Sequence, residues 1–247
     1  MKKLVHEIKS LRFYILIAIG FLLLSYSVYL FFDESVIIRI GAEDNLFEWL
    51  TAICFFVTSI LFLILFIKNR KSIILLFVII FFVGGGEEIS WGQRIFNFKT
   101  PQYMEKINVQ KEFSLHNIEL LNARNFDKAP KKGISKLLTI NFLYKLFWVF
   151  YCILFPLLYG SVLFIKKISD KINLPVPPIS IGIFFLINWL LFRIISSYLL
   201  SDFRSPQYEN TIYEISECGS SFLFFLLSFY FLTKTDFFVK DHNKALK

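Results

Sequence analysis

The chain has 247 residues, 56% of them hydrophobic, and a formal net charge of +8. Its mean hydropathy is +0.60, above what a soluble domain carries, so the bilayer is the expected solvent. The positive charge does not point to nucleic acid, because no basic block is interleaved with a recognition motif; in a membrane chain Lys and Arg report topology instead.

A span needs about 20 mostly apolar residues. Taken in chain order, candidates fall near residues 12 to 32, 46 to 67, 72 to 86, 137 to 165, 179 to 200 and 211 to 233. The expected fold is therefore all-α, a polytopic membrane helix bundle of about six transmembrane helices, forming a single domain over residues 1 to 247. The first span follows Lys2, Lys3 and Lys9 but ends in Phe31, Phe32, Asp33 and Glu34 without a small-residue cleavage site, so it is expected to remain as a helix. Lys and Arg are dense at both termini, at 68 to 71 and at 166 to 171, which predicts that both termini are cytoplasmic. Lys128, Lys131, Lys132 and Lys136 then fall on the outer side, where they could hold anionic headgroups or mark a re-entrant segment. Cys54, Cys152 and Cys218 lie in apolar stretches and cannot all pair, so a disulfide framework is not expected.

The connection from 87 to 136 is too long for a bare loop and reads as an outer-face insert with short amphipathic helices. It opens with GGGEEISWGQR, residues 84 to 94. Glycines at a helix end permit close backbone approach, and Glu87 and Glu88 at membrane depth are costly unless paired, protonated or metal-bound. If the helix continues, Glu87, Trp91 and Arg94 share one face while Glu88 points about 100° away. Next comes NVQKEFSLHNIELLN, residues 108 to 122, in which Val109, Phe113, Ile118 and Leu121 have helical spacing. On such a helix His116 and Glu119 share a face and could bind one metal ion or share a proton. His6 and His242 are terminal, so any imidazole chemistry belongs to His116.

Entering the last span, Asn210, Glu214, Glu217 and Ser221 form a polar stripe that must face the bundle interior. Asp44 and Glu48 stand at the start of the second span, with Thr51 one turn deeper, and Arg193 in the fifth is an internal counter-charge or snorkels outward. Under the expected topology Asp44, Glu48, Glu87, Glu88, His116, Glu119, Glu214 and Glu217 reach one membrane face from four segments. Carboxylates at that density repel unless protons, cations or Arg partners intervene, which makes them functional candidates.

The paired stretches GEEISWGQR and NVQKEFSLHN resemble the GEE-SWGQR and N-Q-E-LHN signatures of a group of bacterial polytopic membrane proteins, a likeness over some 40 residues that brings no activity with it. It implies the cytoplasmic (inner) membrane of a bacterium. A looser resemblance is to the glutamate-type intramembrane proteases of the CAAX-processing and bacteriocin-protection family. Glu87, Glu88 and Arg94 echo their Glu-Glu and Arg element, and Phe113 with His116 their Phe-His motif. The first spacing is wider than in that family, the second narrower, and the second His motif is missing.

These residues lead to the expectation of a membrane-embedded hydrolase or transferase at the extracytoplasmic face, acting on a lipid, a lipid-linked substrate or a membrane peptide. Glu87, Glu88, His116 and Arg94 are the catalytic candidates. His116, Glu119, Glu214, Glu217 and Glu48 are candidate ligands for a divalent ion such as Zn, Fe or Mn. The competing expectations are an ion-coupled transporter, which needs acids along a route to both faces, and a non-catalytic partner that docks another membrane protein.

Overall fold

The computed structural model describes residues 2–42, 44–127, 129–200 and 205–234. These residues form an all-α membrane bundle, in which five helices are long and apolar enough to cross a membrane. We label the main helices α1 (Lys2–Tyr26, extended by the short turn Val28–Phe31), α2 (Leu46–Asn69), α3 (Ile73–Glu88), α4 (Ile140–Ser161), α5 (Ile179–Leu200) and α6 (Pro206–Thr233). The segment expected as a third span is α3. It has 16 residues, about 24 Å at the usual helical rise, and is shorter than the other five. It lies along α2.

The last helix is the centre of the bundle. Of its most apolar stretch 67% is buried, against 22% to 39% for the other four long spans, and α1, α2 and α5 all pack on it. Lipid tails are as apolar as the side chains they touch, so close packing rather than water exclusion holds such helices together. Here aromatic rings supply it. Phe62 of α2 stacks on Phe77 and Phe81 of α3 at 5.0 and 5.7 Å, and Phe224 of α6 meets Phe81 and Phe185 at 4.9 and 4.7 Å. Each such pair contributes roughly 0.5–1.5 kcal/mol beyond simple contact area.

Within α4 the chain passes through a π-turn at Val149–Leu154. Pro156 has no N–H to offer the Cys152 carbonyl four residues earlier, and its ring crowds that oxygen, so the helix widens there. Gly182 of α5 approaches the exposed carbonyl so closely that a Cβ would stand 2.0 Å from the Cys152 oxygen. That glycine fixes how near α5 comes to α4. All three cysteines are free.

Between α1 and α2 the short helix Glu34–Ile40 packs on the start of α6. Thr211 donates its hydroxyl to the Ile37 carbonyl at 3.1 Å, and Gly41 leaves room for the Thr211 side chain. The start of α2, the end of α3, the insert after it and the start of α6 thereby meet at one end of the bundle.

Candidate active site

The glycines before Glu87 have a steric purpose. A Cβ on Gly85 would stand 3.0 Å from the Phe56 ring, and one on Gly86 would stand 2.9 Å from the Trp91 ring. Helix α3 ends at Glu88, and Ser90, Trp91 and Gly92 follow with φ of 45°, 53° and 77°. The expected continuation of the helix through Arg94 therefore does not occur. This left-handed reversal is what lays Trp91 back over Gly86, and its indole N–H donates to Glu87 Oε1 at 2.6 Å. Arg94 belongs to the one-turn helix Gln93–Phe96, and its side chain lies outside the described residues.

The stretch 108 to 122 is not the amphipathic helix that its apolar spacing suggests; it is a turn-rich loop. Asn108 and Ile118 form an antiparallel bridge, with Val109 N–H donating to the Asn117 carbonyl and Glu119 N–H to the Ile107 carbonyl, each at 2.8 Å. The Asn108 side chain, fully buried, supports the turn from within. Its Nδ2 donates to the Ser114 carbonyl, and its Oδ1 accepts from Gln110 and Glu112 N–H. Side-chain amides that bond the local backbone compete with helix formation, and here they win. Gln93 ties the loop to the α3 turn by accepting from Phe113 N–H at 2.7 Å and donating to Thr100 at 2.6 Å.

The loop delivers three donors to one carboxylate oxygen. Leu115 N–H and His116 N–H approach Glu87 Oε2 at 2.6 and 2.8 Å, and His116 Nδ1 lies 3.2 Å from the same oxygen. The Glu87 side chain is 12% exposed and that of His116 35%. An ionised carboxylate can only accept, so the hydrogen bond requires the proton on Nδ1 and leaves Nε2 with a free lone pair in the neutral ring. Glu87 is thus a positioning residue, and His116 Nε2 is the nitrogen left for chemistry.

Glu88 belongs to a second group. Its electrostatic neighbours are Glu217, Glu214, Glu48 and Glu87, and Glu217 in turn is within reach of His116 and Lys145. Cys218 of α6 adjoins Cys54 and Thr51 of α2, which locates this cluster at the junction of α2, α3 and α6. Glu48 also accepts from the main-chain N–H of Asp44. Glu48, Glu87, Glu88, Glu214 and Glu217 do come together.

Glu119 does not join His116. In the loop the two no longer stand on one helical face, and the Glu119 backbone is held by Ile107 and by the Lys131 ammonium. Among the described residues no group of three or more His, Cys, Asp or Glu side chains is arranged to hold a metal ion. Among the described residues the expected ligand set of His116, Glu119, Glu214, Glu217 and Glu48 does not assemble as one. Arg193 is exposed on α5, so the outward alternative holds for it.

The structure also forms a small, partly open cleft of about 60 Å³ between α4, α5 and α6, lined by Tyr144, Lys145, Trp148, Asn188, Trp189 and Glu217 among others. Asn188 is buried and fully used: it accepts from Tyr26 Oη at 2.9 Å and donates to the Ser216 carbonyl and Ser220 Oγ at 2.8 and 3.0 Å. Tyr144 is different. Its hydroxyl is buried beside Ser220, Glu217 and Glu88 and makes no hydrogen bond of ordinary geometry among the described residues, a state it shares with Ser114 Oγ in the 108 to 122 loop. An Asn in the middle of an apolar span is a visible signal of a polar interior; the state of the Tyr144 hydroxyl is not.

No protein family, curated protein or solved structure matches the chain.

Proposed function

We propose that the protein is a membrane-embedded hydrolase or transferase acting on a lipid or lipid-linked substrate at the extracytoplasmic face of a bacterial inner membrane. The observation that carries this reading is the Glu87 to His116 arrangement, a carboxylate that fixes an imidazole through one ring nitrogen and through the backbone on either side of it. His116 Nε2 is then the general base that takes a proton from water or a substrate hydroxyl. Glu87 stabilises the imidazolium that results, the logic of a carboxylate-oriented histidine. Glu88 or Glu217, as a protonated carboxyl, would return a proton to the leaving group. Glu87, one of the catalytic candidates, orients His116 rather than acting as the base, because its oxygens are already occupied by four donors.

The test is substrate-blind. Purified protein in vesicles of total bacterial lipid is incubated and the lipids are followed by mass spectrometry. A species consumed by the wild type and spared by His116→Ala supports the reading, whereas identical lipid profiles with and without the wild-type protein would overturn it.

One observation favours a second reading, a non-catalytic partner protein: Glu87, Ser90, Trp91, Gln93, Asn108 and Asn117 all make hydrogen bonds that shape the α3 turn and the 108 to 122 loop themselves. That reading expects His116→Ala to leave every lipid untouched and to change which proteins co-purify.

A further inference from the structure

The cleft between α4, α5 and α6 opens beside two cations that ordinary membrane packing does not explain. Lys145 lies in the second turn of α4 and Arg193 about two turns from the end of α5, both inside apolar spans and both exposed on the bundle surface. They are electrostatic neighbours of each other, and Lys145 is also a neighbour of Lys136, which is exposed in the turn Gly133–Leu138 just before α4. A charge facing hydrocarbon is costly, and it is relieved by pairing or by drawing a headgroup to it. Among the described residues, Glu217 on the cleft wall is the anion that Lys145 neighbours, and it already shares its surroundings with Glu88 and His116.

The interior of the cleft adds a vacant hydrogen-bonding position. Buried hydroxyls are normally paired, and an orphan costs about 1–3 kcal/mol. Among the described residues the Tyr144 hydroxyl has only Ser220 beside it, without a hydrogen bond of ordinary geometry, and it sits one residue from Lys145, while Trp148 and Trp189 provide the amphipathic rings common where lipid headgroups meet protein. Cations at the mouth, an unused donor inside and aromatic walls are complementary to a phosphate carried on an acyl or prenyl chain.

We propose that the cleft between α4, α5 and α6 is a lateral entry site for the phosphate group of an anionic lipid, held by Lys145 and Arg193 at its mouth and by the Tyr144 hydroxyl within. This names the substrate class for the activity proposed above and rests on that reading for the consequence, though not for the binding. From this site the headgroup lies next to Glu217, and through it the His116 side of the cluster.

The experiment uses full-length protein in phosphatidylcholine vesicles containing either bromine-labelled phosphatidylglycerol or bromine-labelled phosphatidylcholine, with quenching of Trp fluorescence as the readout. Phosphatidylglycerol should quench the wild type preferentially. Lys145→Gln with Arg193→Gln should weaken that preference by about tenfold, since each charge-assisted contact is stronger than a neutral one. Lys145→Arg should retain it, which reports on folding, and Tyr144→Phe should weaken it by roughly threefold to tenfold. Inorganic phosphate added to the vesicles should not compete; if it does, the site takes free phosphate and the lipid assignment is wrong. Equal quenching by both labelled lipids, or a preference that survives loss of both cations, would overturn the proposal. His116→Ala should keep the lipid preference, so loss of turnover with retained preference faults only the catalytic reading. Turnover without preference faults only the entry site.

Discussion

The cap formed by the α3 turn and the loop at 108 to 122 differs in kind from the cleft and carboxylate cluster beneath it. In the cap the principal side chains are multiply bonded: Glu87 has four donors, Asn108 three partners, and Gln93 bridges two segments, while Ser114 Oγ is buried without a hydrogen-bond partner among the described residues. Below it, Glu48, Glu88, Glu214 and Glu217 crowd into one region beside the cleft, and the buried Tyr144 hydroxyl makes no ordinary hydrogen bond among the described residues. A densely bonded network fixes geometry, while crowded like charges beside a cleft are where an external proton or cation can be received. The contrast assigns positioning to the first region and substrate contact to the second, with His116 at the boundary.

The largest effect should come from removing the hub of the cap. Glu87→Ala removes the acceptor of the N–H groups of Trp91, Leu115 and His116, and should lower stability by about 4 kcal/mol, given about 1.5–3 kcal/mol for a hydrogen bond to a charged group and the partial exposure of these three. Thermal unfolding in mild detergent reads this, and an unchanged midpoint would show that the cap does not depend on Glu87. His116→Ala should reduce turnover by about a hundredfold or more. It should shift unfolding little, because its backbone N–H still reaches Glu87. A large stability loss with turnover intact would make His116 part of the scaffold.

Gly86→Ala pushes a methyl group against the Trp91 ring, 2.9 Å away. The ring must move off Glu87, so a cost of about 1–3 kcal/mol is expected from overpacking. Trp fluorescence of the variant should report the displaced indole; an unshifted spectrum would mean that Trp91 does not need the glycine. The smallest effect should be that of Tyr144→Phe, which deletes an unpaired hydroxyl. Stability should stay within about 1 kcal/mol or rise slightly, and a marked loss would show that the hydroxyl is satisfied after all, erasing the contrast between the two regions.

The bundle was legible in the sequence because about 20 apolar residues in a row admit few structures. The meeting of Glu48, Glu88, Glu214 and Glu217 was legible too, since helices that alternate direction bring those positions to one end. The loop was not. Val109, Phe113, Ile118 and Leu121 do have helical spacing, but Asn108, Gln93 and Glu87 supply side-chain partners for the local backbone that outweigh it, and periodicity carries no record of them. The same error placed His116 beside Glu119, when its partner is Glu87, 29 positions earlier. Lys131 was legible as a cation but not as one spent on the Glu119 and Leu120 carbonyls. The cleft depends on how three helices pack, and only Asn188 hinted at it.

The central claim is that Glu87 holds His116 with the proton on Nδ1 and the Nε2 lone pair free. The ¹⁵N NMR spectrum of protein labelled at histidine, with His6 and His242 replaced by Gln, measures this without a substrate. The account predicts that neutral His116 is the Nδ1–H tautomer and that Glu87→Gln releases it to the usual mixture. A His116 protonated on Nε2, or a tautomer balance indifferent to Glu87→Gln, would contradict it.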